Sequence, residues 1–197
     1  MQEIYKQFKI AFLALILLSL LTGIIYPLLI TGLAQLIFPW QANGSLIKQG
    51  DKIIGSALIG QSFSDPKYFW GRPSATSPFA YNAENSSGSN LGPTNPALFT
   101  AVQGYIATLR QADPENQMLI PVDLVTTSGS GLDPEISPLA ALYQIPRIAK
   151  ARGVTEQELL ALVKNGTKNR TLGILGEARV NVLQLNLAVD NLTTPKD

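Results

Sequence analysis

The stretch that decides the architecture is IAFLALILLSLLTGIIYPLLITGLAQLIF, from Ile10 to Phe38. No charged side chain occurs between Lys9 and Lys48. The hydrocarbon core of a bilayer is about 30 Å thick and takes roughly 20 apolar residues as a helix. A run of this length crosses it with residues to spare, by tilting or by extending past the surface. A cleaved secretory signal has a shorter apolar core, about 7–15 residues, ahead of a small-x-small site. Thr22 to Pro27 offers no such site, so the expectation is a retained anchor. Lys6 and Lys9 precede the run against Glu3, and no Lys or Arg follows until Lys48. The positive-inside rule then makes residues 1–9 a cytoplasmic tail, 10–38 the transmembrane region and 39–197 an extracytoplasmic domain.

Ser19, Gly23 and Pro27 recur at a spacing of four along the span, and Thr31 and Ala34 continue the series. On a straight helix this spacing puts them close to one face. Small faces let neighbouring helices approach, so Ser19, Gly23 and Pro27 are candidates for packing against a partner helix. The plainer alternative is that Gly and Pro are simply commoner in membrane helices than in soluble ones.

The remainder is one domain in size. From Lys48 onward it carries 13 basic and 13 acidic residues. That balance argues against nucleic acid or an anionic surface as the main partner. The sequence has no Cys, hence no disulfide or thiol chemistry, and no His. The missing His excludes Ser-His-Asp and Cys-His catalysis, HExxH zinc sites and imidazole acid–base chemistry. No Gly-Lys-Ser/Thr occurs, so there is no Walker A loop. Carboxylate chemistry and a Ser/Lys dyad stay open.

Along the chain, Ile53–Ile59 reads as a strand. Ser64 to Pro96 is dense in Pro, Gly, Ser and Asn, yet carries Tyr68, Phe69, Trp70, Phe79 and Tyr81. Disordered segments are poor in aromatics, so this is read as an ordered, largely exposed loop that meets a partner. Asn95-Pro96 opens a helix to about Gln111, with Leu98, Val102, Tyr105, Ile106 and Leu109 on its buried face. Pro121–Thr127 reads as a short strand before the glycine-rich turn Ser128 to Pro134. Ser137-Pro138 starts a helix that ends at Gly153, with a kink or break expected at Pro146. Thr155 and Glu158 form a capping box for a helix to about Lys164. Val180–Asp190 alternates Leu183, Leu185, Leu187 and Val189 with Gln184, Asn186, Ala188 and Asp190, which predicts a half-buried strand. The fold class expected is a single N-terminal transmembrane helix followed by a mixed α/β extracytoplasmic domain.

GSALIGQSF (55–63), YFWGRPSA (68–75), YN (81–82), SGSNLGPTN (87–95), VTTSGSGLDP (125–134) and QIPRIAKARG (144–153) follow one another behind the membrane helix. Each is weak alone. Together, and over essentially the full chain, they resemble the C subunit of the Kdp potassium-transporting P-type ATPase of bacteria. The resemblance implies a non-catalytic accessory subunit in the bacterial inner membrane. Its implied partners are a potassium-channel-like subunit and a P-type ATP-hydrolysing subunit, with membrane lipid around the helix. It also implies a role in assembly, an outer domain near the entrance for potassium, and action as a catalytic chaperone that raises the pump subunit's affinity for ATP. No cofactor is expected to bind firmly; ATP is expected only jointly with the ATP-hydrolysing subunit. One departure stands out: Glu135 follows the Leu-Asp-Pro turn where the family often has His.

Three sets of candidate site residues result. Ser128, Gly129, Ser130 and Gly131 offer backbone N–H groups to phosphates, with Gln144 and Arg147 just beyond. Turns of this composition are more often only turns. The plainer reading of Gln144 is that it caps or bonds a helix broken at Pro146, and of Arg147 that it is a surface ion-pair partner; Arg72, Arg147 and Arg152 are also read as holding loops to the core rather than binding substrate. Arg72, Tyr81, Asn82, Ser89 and Asn90 are candidates for docking a partner on the loop's exposed face, where aromatics and Asn suit protein contacts. Asp123 and Asp133 flank the glycine-rich turn as a possible acid–base pair, although Asp133 before Pro134 is more simply a turn residue. Metal ligands are not expected. Two rivals belong to other classes: a membrane-anchored hydrolase using Ser128 or Ser130 with Lys150 as base, and a stand-alone extracytoplasmic binding domain.

Overall fold

The computed structural model describes residues 1–193 and divides into two compact units, Met1–Leu46 and the chain from Ile47 onward. The first unit is helical: α1 (Gln2–Leu20), a π turn (Leu21–Ile25), α2 (Tyr26–Ile37) and a short α3 (Pro39–Ala42). The run Gln2–Ile37 is long and apolar enough to cross a membrane, and its mean hydropathy reaches 2.5. The π turn lies just ahead of Pro27, which has no amide hydrogen for the i→i−4 ladder. The Tyr26 N–H bonds Leu21 O, one residue further back than in an α-helix. The Thr22 hydroxyl donates to Leu18 O at 2.7 Å, as polar side chains in apolar helices do.

The second unit mixes helices with short strands. A two-stranded sheet, β1 (Leu46–Gln49) with β2 (Lys52–Ser56), opens it. The expected strand Ile53–Ile59 is thus shorter and starts earlier. It stops because residues 56–59 turn, closed by the Ser56–Ile59 bridge. No helix or strand then occurs until α4 (Pro96–Ala112), as expected. The Asn95 side chain caps α4 by accepting from Ala97 N–H. Val102, Tyr105, Ile106 and Leu109 pack its inner face on the core.

Pro121–Thr127 is not a strand: Val122–Leu124 forms a 3-10 turn. It has no ladder partner, and the Asp123 carboxylate is occupied by Ser137, whose N–H and hydroxyl donate at 2.7 and 3.2 Å. β3 (Glu135–Ile136) leads into α5 (Pro138–Arg152), capped by the Ser137 hydroxyl and ended by Gly153 at φ 68°. α5 runs through Pro146, so the expected break does not occur. Residues on both sides of the proline, Tyr143, Gln144, Ile145, Arg147 and Ile148, are buried and hold the helix across the lost hydrogen bond. The Thr155–Glu158 capping box opens α6 (Glu156–Gly166) as read.

The largest departure is at the C-terminal end. Only Arg179–Asn181 is strand (β5); Val182–Thr193 is helix (α7). β5 is the centre of an antiparallel sheet of order β3-β5-β4, with β4 at Thr167–Lys168. Asn186 decides the helix. It is 2 % exposed, so Val182, Asn186 and Val189 all face inward, at helical spacing. Treating Asn186 as an outward polar residue produced the false period of two. α5, α6 and α7 pack around Ile148, Leu159, Val163, Val180, Leu185 and Val189, with Phe69 from the long loop in the same core.

Candidate functional site

The long loop is gripped from behind by α5 and α7. The Asn186 side chain accepts from Phe69 N–H at 2.8 Å and donates to Phe69 O at 3.0 Å. Gln144 does the same one residue later, accepting from Trp70 N–H at 2.8 Å and donating to Trp70 O at 3.1 Å. Two side-chain amides thus supply the bonds that a neighbouring strand would supply. Arg147 donates to Pro66 O, Tyr68 O and Gln144 Oε1, and its guanidinium lies 4.0 Å from the Trp70 ring centroid. It is 5 % exposed, so it is not the surface ion-pair partner of the plainer reading. Burial pulls its pKa down to about 10, which leaves it a cation at neutral pH. One turn on, Arg152 bonds Lys67 O, pairs with Asp190 at 2.7 Å and covers the Tyr68 ring.

The front of the loop folds back on itself. Tyr81 sits at φ 59° and is half-buried; its hydroxyl donates to Arg72 O at 2.5 Å. Its ring fills the space beside Gly60, and its hydroxyl lies 2.6 Å from where a Cβ on Gly71 would stand, so neither position has room for a side chain. Burial, then the charge of Asp133, pushes the Tyr81 phenol up to about 12. Asn82 is buried: its side chain donates to Ser77 O and accepts from Glu84 N–H, while its own N–H reaches the Thr76 hydroxyl. Arg72 pairs with Asp133 at 3.3 Å and bonds Thr127 O. Ser89 accepts from the Thr127 hydroxyl at 3.2 Å, and Asn90, at φ 51°, is exposed. Tyr81 and Asn82 therefore face the domain, where an exposed face was expected. Among the loop's aromatic side chains, the one turned outward is Phe79, 60 % exposed.

The glycine-rich turn is closed by the chain's own loop. Ser128 Oγ accepts from Gly131 N–H at 2.9 Å. Ser87 N–H and the Ser86 hydroxyl both donate to Ser130 O, and the Ser74 hydroxyl donates to Gly131 O. A Cβ on Gly131 would meet Ser87 O at 2.5 Å. Gln144 and Arg147 are brought together at 2.7 Å, but on residues 66–70, while Ser128–Gly131 faces residues 74–88. Asp123 and Asp133 line one cleft of about 510 Å³ with Arg72, Glu135, Ser137 and Arg179. Its acids are engaged: Glu135 pairs with Arg179 at 3.0 Å, and Asp133 also accepts from Glu135 N–H. Lys150 pairs with exposed Glu115, and the Ser130 hydroxyl accepts from Leu132 N–H.

Sequence reasoning did not find Asn186 or the Phe69–Trp70 clasp. The signal was present: counting Asn186 as an inward residue converts an alternating pattern into a helical one.

Residues 8–191 match the family described as KdpC: K+-transporting ATPase, c chain. The Potassium-transporting ATPase KdpC subunit of Herpetosiphon aurantiacus is 60% identical over 185 residues, covering 94% of this chain and 96% of the relative. That of Methylococcus capsulatus is 60% identical over 187 residues, 95% and 98% of the two chains. That of Paraburkholderia xenovorans is 56% identical over 192 residues, 98% of each. With matches that cover span, loop and core together, the chain belongs to the KdpC family of potassium-transporting ATPase subunits.

Proposed function

We propose that this chain is a non-catalytic, single-pass accessory subunit of a potassium-transporting ATPase. It assembles with a potassium-channel-like subunit and a P-type ATP-hydrolysing subunit in the bacterial inner membrane. The observation that carries the reading is the family match from residue 8 to residue 191, which takes in the span and the folded unit together. Lys6 and Lys9 ahead of an uncharged span support a cytoplasmic N-terminus and an outer domain. The engagement of Ser128–Gly131, Gln144 and Arg147 with the long loop favours a framework role for them over direct ATP contact. Any gain in ATP affinity then comes through assembly, with the ATP-hydrolysing subunit making the contacts to nucleotide.

Co-expression of the tagged full chain with the other chains of its ATPase tests this. The expected result is recovery of all subunits together, with potassium-stimulated ATP hydrolysis lost when this chain is omitted. Recovery of the other subunits as an active enzyme without it would overturn the reading. A reporter fused after Asp197 should be active only outside the cytoplasm; cytoplasmic activity would reverse the topology and reopen direct contact with ATP.

A further inference from the structure

The apolar N-terminal helix ends in a turn that closes on its own polar groups. Phe38, at φ −132° and ψ 55°, breaks the run, and α3 follows as a single turn. The side-chain amides of Gln35 and Asn43 bond each other in both directions, at 3.0 and 3.3 Å. Asn43 Nδ2 also donates to Pro39 O at 2.6 Å. The Trp40 indole N–H donates to Leu46 O at 3.0 Å. The carbonyls of Phe38, Trp40 and Gln41 accept from the N–H groups of Ala42, Ser45 and Gly44. Around these bonds the apolar side chains stay turned out: Leu36, Ile37, Phe38 and Trp40 are 80%, 59%, 56% and 49% exposed.

The pairing decides what lies against this turn. A surface that docks on a protein offers donors and acceptors to its partner, about one hydrogen bond per 100–200 Å². Hydrocarbon offers none, so polar groups beside it find their partners within the chain. The Gln35 and Asn43 amides and the Trp40 indole have done so, and the side chains around them are apolar. No charged side chain lies between Lys9 and Lys48, so the contact does not draw on lipid charge. Length alone leaves the register of a bilayer on the helix open. Lys9 to Gln35 measures roughly 39 Å along a helix axis, against a hydrocarbon core of about 30 Å, and tilt takes up the difference. The turn fixes that register. We propose that residues 35–46 form a lipid-facing end to the span. Phe38 and Trp40 lie against the acyl chains just beneath the phospholipid glycerol groups, and the Gln35–Asn43 pair holds the turn there. This rests on the single-pass reading above.

The test is tryptophan quenching in vesicles of phosphatidylcholine brominated either near the glycerol or near the bilayer centre. The difference between the full chain and its Trp40→Phe variant reports Trp40 alone, since Trp70 is the chain's other tryptophan and cancels. The same difference is taken for the lone chain and for the ATPase assembled with its other subunits. The expected result in both is quenching about twofold or more stronger from the shallow bromines than from the central ones. Quenching in the lone chain that vanishes on assembly assigns the turn to another subunit and overturns the proposal. So does quenching stronger from the central bromines. Absence of quenching in the lone chain overturns it too, and Leu20→Trp in the Trp40→Phe chain then locates the failure. Quenching of that residue by the central bromines leaves the single-pass reading standing; none at either site defeats the reading as well. Asn43→Ala leaves the Gln35 amide without its partner. Trp40 emission should then move to the red and its shallow quenching should weaken. An unchanged spectrum and depth overturn the role given to the Gln35–Asn43 pair.

Discussion

Asn186 on α7 bonds both backbone groups of Phe69, 117 positions away in sequence, and so pins the long loop to the core. Asn186→Leu keeps the branched shape, with somewhat more bulk, but leaves a buried N–H and a buried C=O without partners. The expected loss is about 2–4 kcal/mol of unfolding free energy, read by denaturant unfolding of the full chain in detergent. Asn186→Asp keeps the acceptor but sets a carboxylate against Phe69 O. That carboxyl is expected to titrate above the ordinary range, and its protonated form donates to Phe69 O. Stability of this variant should therefore rise as pH falls, where the parent's does not.

Arg147 is the second fastening. Its three acceptors and the Trp70 ring call for a planar fork with more than one donor. Arg147→Lys should recover only part of the stability lost in Arg147→Met, which is expected at about 2–3 kcal/mol. Both should speed tryptic cleavage after Lys67, because the stretch 66–70 is then held by fewer bonds; the cleavage rate is the measurement.

Tyr81 predicts an alkaline effect. Its phenol is raised to about 12 in the folded chain, chiefly by burial, against about 10 in an unfolded one. The folded state therefore holds the proton more tightly. The contribution is complete below pH 10 and is lost as pH rises from 10 to 12. Tyr143 is also raised by burial, so the informative comparison is with Tyr81→Phe, whose stability should fall less steeply over that interval. At neutral pH the same variant should lose about 1 kcal/mol with its bond to Arg72 O.

Gly131 and Gly129 separate framework from surface within one turn. Gly131→Ala forces a Cβ against Ser87 O and the Thr76 side chain at φ 68°, and should destabilise by about 2–3 kcal/mol. Gly129→Ala meets nothing within 4 Å and should stay within about 0.5 kcal/mol. Thermal unfolding of the two variants side by side is the check.

What the sequence made legible were features set by local chemistry: the uncharged span, the Asn95, Ser137 and Thr155 caps, and the Gly153 stop. Each depends on residues within a few positions of one another. What it hid were polar side chains whose partners lie far along the chain. Asn186 and Gln144 look like surface residues by type, yet they are 2 % and 1 % exposed, because the loop they hold has no strand partner. The same blindness turned Tyr81 and Asn82 outward. Nothing near them in sequence records that Gly60, more than twenty residues upstream, leaves room for the Tyr81 ring.

The π turn at Leu21–Ile25 changes which side of the apolar N-terminal helix its small residues share. An i→i+5 turn takes in one more residue than an α turn, and one residue is roughly 100° of helix rotation. Ser19 lies before the turn, and Pro27 and Thr31 lie after it. On an unbroken α-helix Pro27 would stand roughly 80° round from Ser19; with one residue absorbed by the π turn the offset falls to roughly 20°, so the small residues are drawn toward one stripe. A helix phased in this way carries its small residues as one shallow groove along one side, where an unbroken α-helix would wind them partway round its axis.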